Sequence, residues 1–127
     1  MQWRTIVGIG AVLAGLGVVL GAFAAHSLKA NISPYGMGVF ETGARYQMYH
    51  SLAILVLGSL ARGGHSRLLN ISAHFFIIGI LIFSGSLYLL ALTEVKWFGA
   101  ITPIGGVTLI VAWALLAIGV WGRERKD

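Results

Sequence analysis

The sequence predicts an all-α membrane protein, a bundle of four transmembrane helices whose N and C termini both lie in the cytoplasm. Hydrophobic residues make up 57% of the 127 positions, and the mean hydropathy is +0.86. A soluble domain is less apolar, at about 45–50% even with glycine counted. Four apolar segments reach the ~20 residues that a membrane-spanning helix needs. The stretches between them are short, so the chain is predicted to form one domain over residues 1–127.

The predicted spans cover residues 5–25, 40–61, 68–92 and 100–121. The first ends in Ala22-Phe23-Ala24, which is similar to a signal-peptidase site. Its apolar stretch is nevertheless longer than the ~7–15 residues of a signal-peptide core, which favours a retained helix. The fourth contains Thr102-Pro103 near its start, a pair typical of an N-cap followed by proline at the first helical position.

The distribution of basic residues predicts the orientation. With four spans, one side of the membrane carries Arg4, Arg62, Arg67, Arg123, Arg125 and Lys126. The other side carries Lys29, Arg45 and Lys96. Because Lys and Arg accumulate on cytoplasmic flanks, the richer side, with both termini, is assigned to the cytoplasm.

The second span begins with unusually many polar residues, in FETGARYQMYHSL at residues 40–52. Only 16 residues run from Tyr46 to Ala61, about 24 Å of helix against a hydrocarbon core of about 30 Å. Glu41 and Arg45 are therefore expected at the outer end of a spanning helix, or on a surface helix that precedes it. Their i, i+4 spacing allows them to pair. His50 lies about 7 Å deeper than Arg45.

Small residues and serines suggest how the helices pack. In the first span a stripe of small residues at heptad spacing is expected to let another helix approach closely; it comprises Gly8, Ala11, Gly15, Val18, Ala22 and Ala25. In the third span Ser84 shares a face with Tyr88, whereas Ser86 points elsewhere.

Polar residues from all four spans are expected to meet near the outer face. A layer drawn from every helix indicates either a ligand-binding cavity or a polar clasp inside the bundle. The candidate ligand-binding residues are His26, Glu41, Arg45, Tyr46, Gln47, His50, Ser84, Tyr88 and Thr102.

Composition and motifs argue against several classes of function. The chain has no cysteine, which excludes disulfides, thiolate metal sites and CxxC redox chemistry. No metal-ligand spacing of the HExxH type occurs, so neither a metal nor another cofactor is predicted. The net charge of +5 is explained by cytoplasmic flanks, and no basic run with interleaved aromatic residues suggests nucleic acid as a partner.

Four stretches resemble a known family. They are GAFAAHSL (21–28), FETGARYQMYHSL (40–52), FSGSLYLLAL (83–92) and ITPIGG (101–106). They are similar to the signatures of a small integral-membrane family, domain of unknown function 423, which includes an animal relative called transmembrane protein 256. Glycine is typical of the family where this chain has Ala24. The matching signature positions are His26, Glu41, Thr42, Gly43, Tyr46, Gln47, His50, Ser84, Ser86, Tyr88, Thr102 and Pro103.

The resemblance implies a four-span fold in the bacterial cytoplasmic membrane and no established activity. The residues favour a non-enzymatic protein that binds a lipid headgroup, a membrane-protein partner or a second copy through the polar layer. A proton-coupled transporter and a membrane redox or lipid-modifying enzyme are the alternatives.

Overall fold

The chain forms four long helices joined by short turns. The computed structural model describes residues 1–64 and 66–124, with side chains up to residue 122. Arg123, Arg125 and Lys126, which entered the count of basic residues, lie outside the described side chains. The helices are α1 (Trp3–Phe23), which continues as a π-helical segment (Ala24–Leu28), α2 (Pro34–Ala61), α3 (Arg67–Thr93) and α4 (Lys96–Glu124).

Serine side chains cap the starts of α2 and α3. The hydroxyl of Ser33 accepts a hydrogen bond from the Gly36 amide at 3.0 Å, and Pro34 occupies the first helical position. The same hydroxyl donates to the Glu94 carboxylate at 2.7 Å. Since Glu94 closes α3 in the left-handed conformation, with φ 53°, this bond ties the start of α2 to the turn between α3 and α4.

The expected start of the fourth helix is wrong. Helix α4 begins at Lys96, so Pro103 lies inside it and Thr102 does not cap it. A proline inside a helix removes one backbone donor, and in a membrane helix a neighbouring Ser or Thr side chain compensates. The Thr102 hydroxyl donates to the Phe98 carbonyl at 3.3 Å, one residue before the Gly99 carbonyl whose amide donor Pro103 removes.

The helices pack in chain order: α1 against α2, α2 against α3 and α3 against α4. Within the described residues, α1 and α4 make no extensive contact with each other. The larger apolar core, which includes Ile54, Phe76 and Leu109, draws on all four helices. A smaller core closes the opposite end, where Ala24 and Leu28 of the π-helical segment pack with Phe40 and Ala91.

The packing face of α1 differs from the one expected. Every residue of the predicted small-residue stripe is exposed, and a Cβ placed on Gly8 or Gly15 would meet no atom within 4 Å. The glycines that meet α2 are Gly10 and Gly17, both buried. A Cβ on Gly10 would lie 3.0 Å from Ile54. The approach of α1 to α2 therefore uses a second glycine series, displaced around the helix.

Three helices are long and apolar enough to cross a membrane: α1 with the π-helical segment (Trp3–Leu28), α3 (Arg67–Thr93) and α4 up to Gly122. Helix α2 is more polar but has 28 residues, about 42 Å. It packs against both α1 and α3: Gly36 meets Ala91 of α3 near its start, and Gly58 meets Val7 of α1 near its end. The all-helical fold class is thus confirmed.

The close contact between α3 and α4 at Gly105 gives a stability prediction. A Cβ at Gly105 would overlap the backbone of Phe83, with its Cα only 2.7 Å away, whereas a Cβ at Gly106 would meet Phe83 at 3.8 Å. We expect Gly105→Ala to lower the free energy of unfolding by about 1–3 kcal/mol, the usual cost of overpacking, in thermal melts of the detergent-solubilised protein. Gly106→Ala is the matched control, and an equal effect of the two changes would contradict the close approach.

Candidate functional site

The nine predicted site residues separate into a buried and an exposed group. Gln47, His50 and Ser84 are buried, and Tyr88 and Thr102 are half-buried. His26, Glu41, Arg45 and Tyr46 are exposed. Since α2 begins at Pro34, His50 lies about 24 Å along a helix of about 42 Å. The predicted polar residues of α2 therefore extend from near its start to its middle.

Gln47 connects three helices. Its Nε2 donates to the Leu13 carbonyl of α1 at 2.8 Å. Its Oε1 accepts a hydrogen bond from the Tyr88 hydroxyl of α3 at 2.7 Å. The Tyr88 ring also packs on Phe40, with ring centroids 4.8 Å apart. We call this set, Leu13, Gln47 and Tyr88, the glutamine clasp.

The serines of α3 bind both neighbouring helices. Ser84 donates to the Gly43 carbonyl of α2 at 2.7 Å, on the face shared with Tyr88, as predicted. Ser86 points elsewhere, also as predicted, and its hydroxyl lies 2.7 Å from that of Thr102 in α4. Ser84, Ser86 and Thr102 thus join α2, α3 and α4.

Two buried serines were not among the predicted residues. Ser72 donates to the Ala112 carbonyl of α4 at 2.8 Å, and Ser51 donates to the Gln47 carbonyl at 2.6 Å. Ser72 bonds across a helix interface, as a serine in a membrane helix often does, whereas Ser51 bonds one turn back within α2.

Apart from His50, the buried side chains of the layer are engaged in hydrogen bonds within the bundle. Among the described residues, every fully buried side-chain nitrogen or oxygen has a partner. Such groups stabilise the packing of helices where no water competes. The interior therefore has the arrangement of a closed clasp.

His50 differs from the other buried polar residues. It is 6% exposed, and its ring lies about 6 Å from those of Tyr46, Phe76 and Trp113. Nδ1 is 2.6 Å from the Tyr46 carbonyl. Because a carbonyl only accepts, Nδ1 carries the proton, and Nε2 of the neutral ring presents a lone pair.

Glu41 and Arg45 do not form the expected ion pair. Both side chains are exposed, and neither makes a hydrogen bond or ion pair within the described part of the chain. An exposed i, i+4 pair contributes only about 0.3–0.5 kcal/mol, too little to hold two long side chains together. Both charges remain available to an outside partner.

A cleft opens at the end of the molecule where α2 begins. It has a volume of about 440 Å³ and includes an ammonium group, a carboxylate and apolar side chains; its lining residues are Lys29, Ile32, Pro34, Met37, Gly38 and Glu41. The predicted site included Glu41 but not Lys29, which directly follows the GAFAAHSL stretch and is not part of it. We call this feature the rim cleft.

A second cleft of about 300 Å³ lies at the opposite end, between the starts of α1 and α3. Trp3 and Arg4 line it, and the guanidinium groups of Arg4 and Arg62 lie 5.4 and 4.9 Å from the Trp3 ring centroid. No group of three or more His, Asp or Glu residues among those described is arranged to hold a metal ion.

Comparison with known proteins identifies the relatives of this fold. Residues 20–106 match the family model described as "Protein of unknown function (DUF423)". The chain belongs to the DUF423 family. The matched range includes the π-helical segment, the rim cleft, Gln47 with Tyr88, and Gly105.

Curated relatives in this family are named as membrane proteins. The chain is 44% identical over 118 residues to a UPF0382 membrane protein of Staphylococcus aureus (strain bovine RF122 / ET3-1), covering 93% of this chain and 96% of that protein. It is 38% identical over 116 residues to the UPF0382 membrane protein YwdK of Bacillus subtilis (strain 168), with 91% and 94% covered. It is 40% identical over 109 residues to the UPF0382 inner membrane protein YgdD of Escherichia coli (strain K12), with 86% and 83% covered. No solved structure matches. This chain is therefore a membrane protein of a family without an assigned function.

The glutamine clasp gives a second stability prediction. Tyr88→Phe leaves Gln47 Oε1 without its donor, and we expect it to lower the free energy of unfolding by about 1–2 kcal/mol. In a double-mutant cycle with Gln47→Leu, the coupling should be about 0.5–1.5 kcal/mol, as for other hydrogen bonds between membrane helices. Unfolding in detergent micelles measures both values.

Tyr35→Phe is the matched control for that cycle, because Tyr35 is 65% exposed. Additive effects of Gln47→Leu and Tyr88→Phe would show that the bond between the two side chains contributes nothing to stability.

Proposed function

We propose that this protein is a four-span protein of the cytoplasmic membrane that binds a phospholipid headgroup in the rim cleft without catalysing a reaction. The observation that carries the proposal is the presence of Lys29 and Glu41 on one cleft, both exposed and neither paired within the described residues.

The four-span arrangement is supported by the position of α2. Helix α2 packs against both α1 and α3, and those two are apolar enough to span. A helix with such neighbours crosses the bilayer with them. Its polar residues are tolerated there because Gln47 and the Gly43 carbonyl are satisfied inside the bundle.

The orientation is supported by the basic flanks, which favour cytoplasmic termini. The rim cleft then faces the outer leaflet. Trp97 and Lys96 mark the same end of the molecule at the start of α4, where aromatic and long basic side chains are typical of the membrane–water interface.

The charges of the rim cleft fit a zwitterionic headgroup. The Lys29 ammonium attracts a phosphate, and the Glu41 carboxylate attracts a headgroup amine. Ile32 and Met37 supply apolar surface in the same cleft for the adjoining glycerol and acyl region. Arg45 lies one turn further along α2 than Glu41 and, being exposed, is a second cation near this end of the molecule.

The proposal includes no catalysed reaction because the polar groups of the interior already have structural roles. The hydroxyl and amide groups that would form a reaction site hold helices together instead. The exposed charges lie at one end of the helices, which suits binding at the interface better than passage through both leaflets.

Topology is tested by labelling, since the chain contains no cysteine of its own. We expect Asn31→Cys to react with a membrane-impermeant maleimide in intact cells, and Gly63→Cys to react only after the membrane is opened. Both positions are exposed. Labelling of Gly63→Cys alone in intact cells would reverse the orientation, and labelling of both from one side would mean that α2 does not cross.

Headgroup binding is tested by native mass spectrometry of the protein equilibrated with equal amounts of phosphatidylethanolamine and phosphatidylglycerol. We expect the amine lipid to be preferred. Glu41→Gln should reduce that preference about 2- to 5-fold, which is the range for one exposed charge pair, and Lys29→Gln should reduce retention of both lipids.

Lys96→Gln is the matched control, because Lys96 is an exposed cation at the same end of the molecule but outside the rim cleft. If it weakens lipid retention as much as Lys29→Gln does, net charge explains the binding. If Glu41→Gln leaves the preference unchanged, the zwitterionic assignment is wrong.

A further inference from the structure

The imidazole of His50 is a buried polar group with one hydrogen-bonding atom left over. Nδ1 is bonded to the Tyr46 carbonyl, whereas Nε2 makes no hydrogen bond within the described part of the chain. Fully buried side-chain nitrogens of the described residues all have partners. The small exposed fraction of His50, 6%, therefore includes Nε2.

Aromatic rings from three helices surround this imidazole. Tyr46 of α2 stacks near His50 at an interplanar angle of 27° and packs on Phe83 of α3 at 4.9 Å. Trp113 of α4 presents an edge contact 6.0 Å away. Tyr46 is 40% exposed and Trp113 is 47% exposed, so both rings reach the outside of the bundle beside His50, and the groove proposed below lies between them.

The fixed tautomer determines what the groove recognises. With its proton on Nδ1, the neutral ring offers a lone pair at Nε2 and therefore binds a donor. The Trp113 indole N–H makes no hydrogen bond within the described residues and is available to an acceptor on the same ligand. A ligand that reaches the middle of α2 must pass through lipid. There, any polar group of the ligand that lacks a hydrogen-bond partner is costly.

We propose that this groove binds a membrane-soluble phenol or hydroquinone, whose ring stacks among Tyr46, Phe83 and Trp113 while its hydroxyl donates to His50 Nε2. The flat walls accommodate an aromatic ring. The single acceptor accounts for selectivity, because a site built to bond a hydroxyl rejects an analogue that lacks it. The groove is separate from the rim cleft, so the proposal does not depend on headgroup binding.

Two probes test the proposal: a decyl-substituted benzohydroquinone, kept reduced under anaerobic conditions, and its dimethyl ether. The two share ring and chain, but only the first donates a hydrogen bond. Binding is followed by fluorescence of Trp113 in a variant in which the other three tryptophans, Trp3, Trp97 and Trp121, are replaced by phenylalanine.

We expect saturable quenching by the hydroquinone, with a Kd about 2- to 10-fold lower than that of the ether, the ratio that one neutral hydrogen bond provides. His50→Phe should raise the Kd of the hydroquinone to that of the ether. His74→Phe should leave it unchanged, since His74 makes the same local bond, from Nδ1 to the Asn70 carbonyl at 2.8 Å, but is exposed elsewhere on α3.

If the hydroquinone and its ether have equal Kd values in the protein with His50 intact, the proposal is overturned. This outcome does not depend on how the His50 variant behaves. Quenching that rises linearly with probe, as expected for partitioning into detergent, would overturn it as well. A homodimer that forms only when His50 is present, and to which neither probe binds, would also overturn the proposal. A second copy of the chain would then occupy the groove.

Discussion

Backbone and side-chain polar groups inside a bilayer have no water to bond with, and this constraint organises the whole bundle. Each helix satisfies its own backbone, but glutamine, serine and threonine side chains must find partners on neighbouring helices or within their own. Gln47 does so with two helices, and Ser72, Ser84 and Ser86 do so with one each. Four of the nine residues predicted as a binding site, Gln47, Ser84, Tyr88 and Thr102, instead hold the helices together.

Helix α2 is the least apolar of the four, and its place between α1 and α3 gives its polar side chains buried faces on which to bond. A helix with neighbours on two sides exposes less of its surface to lipid, so it tolerates Gln47, His50 and Ser51 along its buried faces. Near the start of α2 the side chains of Glu41 and Arg45 are exposed and form no ion pair within the described residues. The polar side chains of α2 thus form two groups. Those that make hydrogen bonds lie inside the bundle, and the unpaired charged ones lie on its outside.

The helix count, the approximate helix positions and the shared face of Ser84 and Tyr88 could be predicted from the sequence, because hydropathy and helical periodicity carry that information. The start of α4 could not, since Thr102-Pro103 is equally compatible with a cap and with a helix interior in which the threonine bonds back. The packing face of α1 was also ambiguous. Two glycine series run along it, and the partner that selects Gly10 and Gly17 is a surface on α2, which local sequence does not describe.

The candidate site was predictable only in part for the same reason. The residue types and their helices were correctly located, but whether a side chain has spare bonding capacity depends on contacts made across helices. Gln47 is fully engaged through Leu13 and Tyr88, whereas His50 has a single local bond. Nothing in their sequence spacing separates the two. Lys29 gains its relevance from the turn that brings it beside Glu41, which no motif encodes.

The sequential packing of the helices bears on how the protein is made. Because α1 rests on α2, α2 on α3 and α3 on α4, each helix packs chiefly against its neighbour in the chain, whereas the bond between Ser33 and Glu94 waits for the end of α3. Chains rich in such near-neighbour contacts fold quickly and expose little surface on the way. Membrane insertion of this protein can therefore proceed helix by helix, with α4 closing the assembly last.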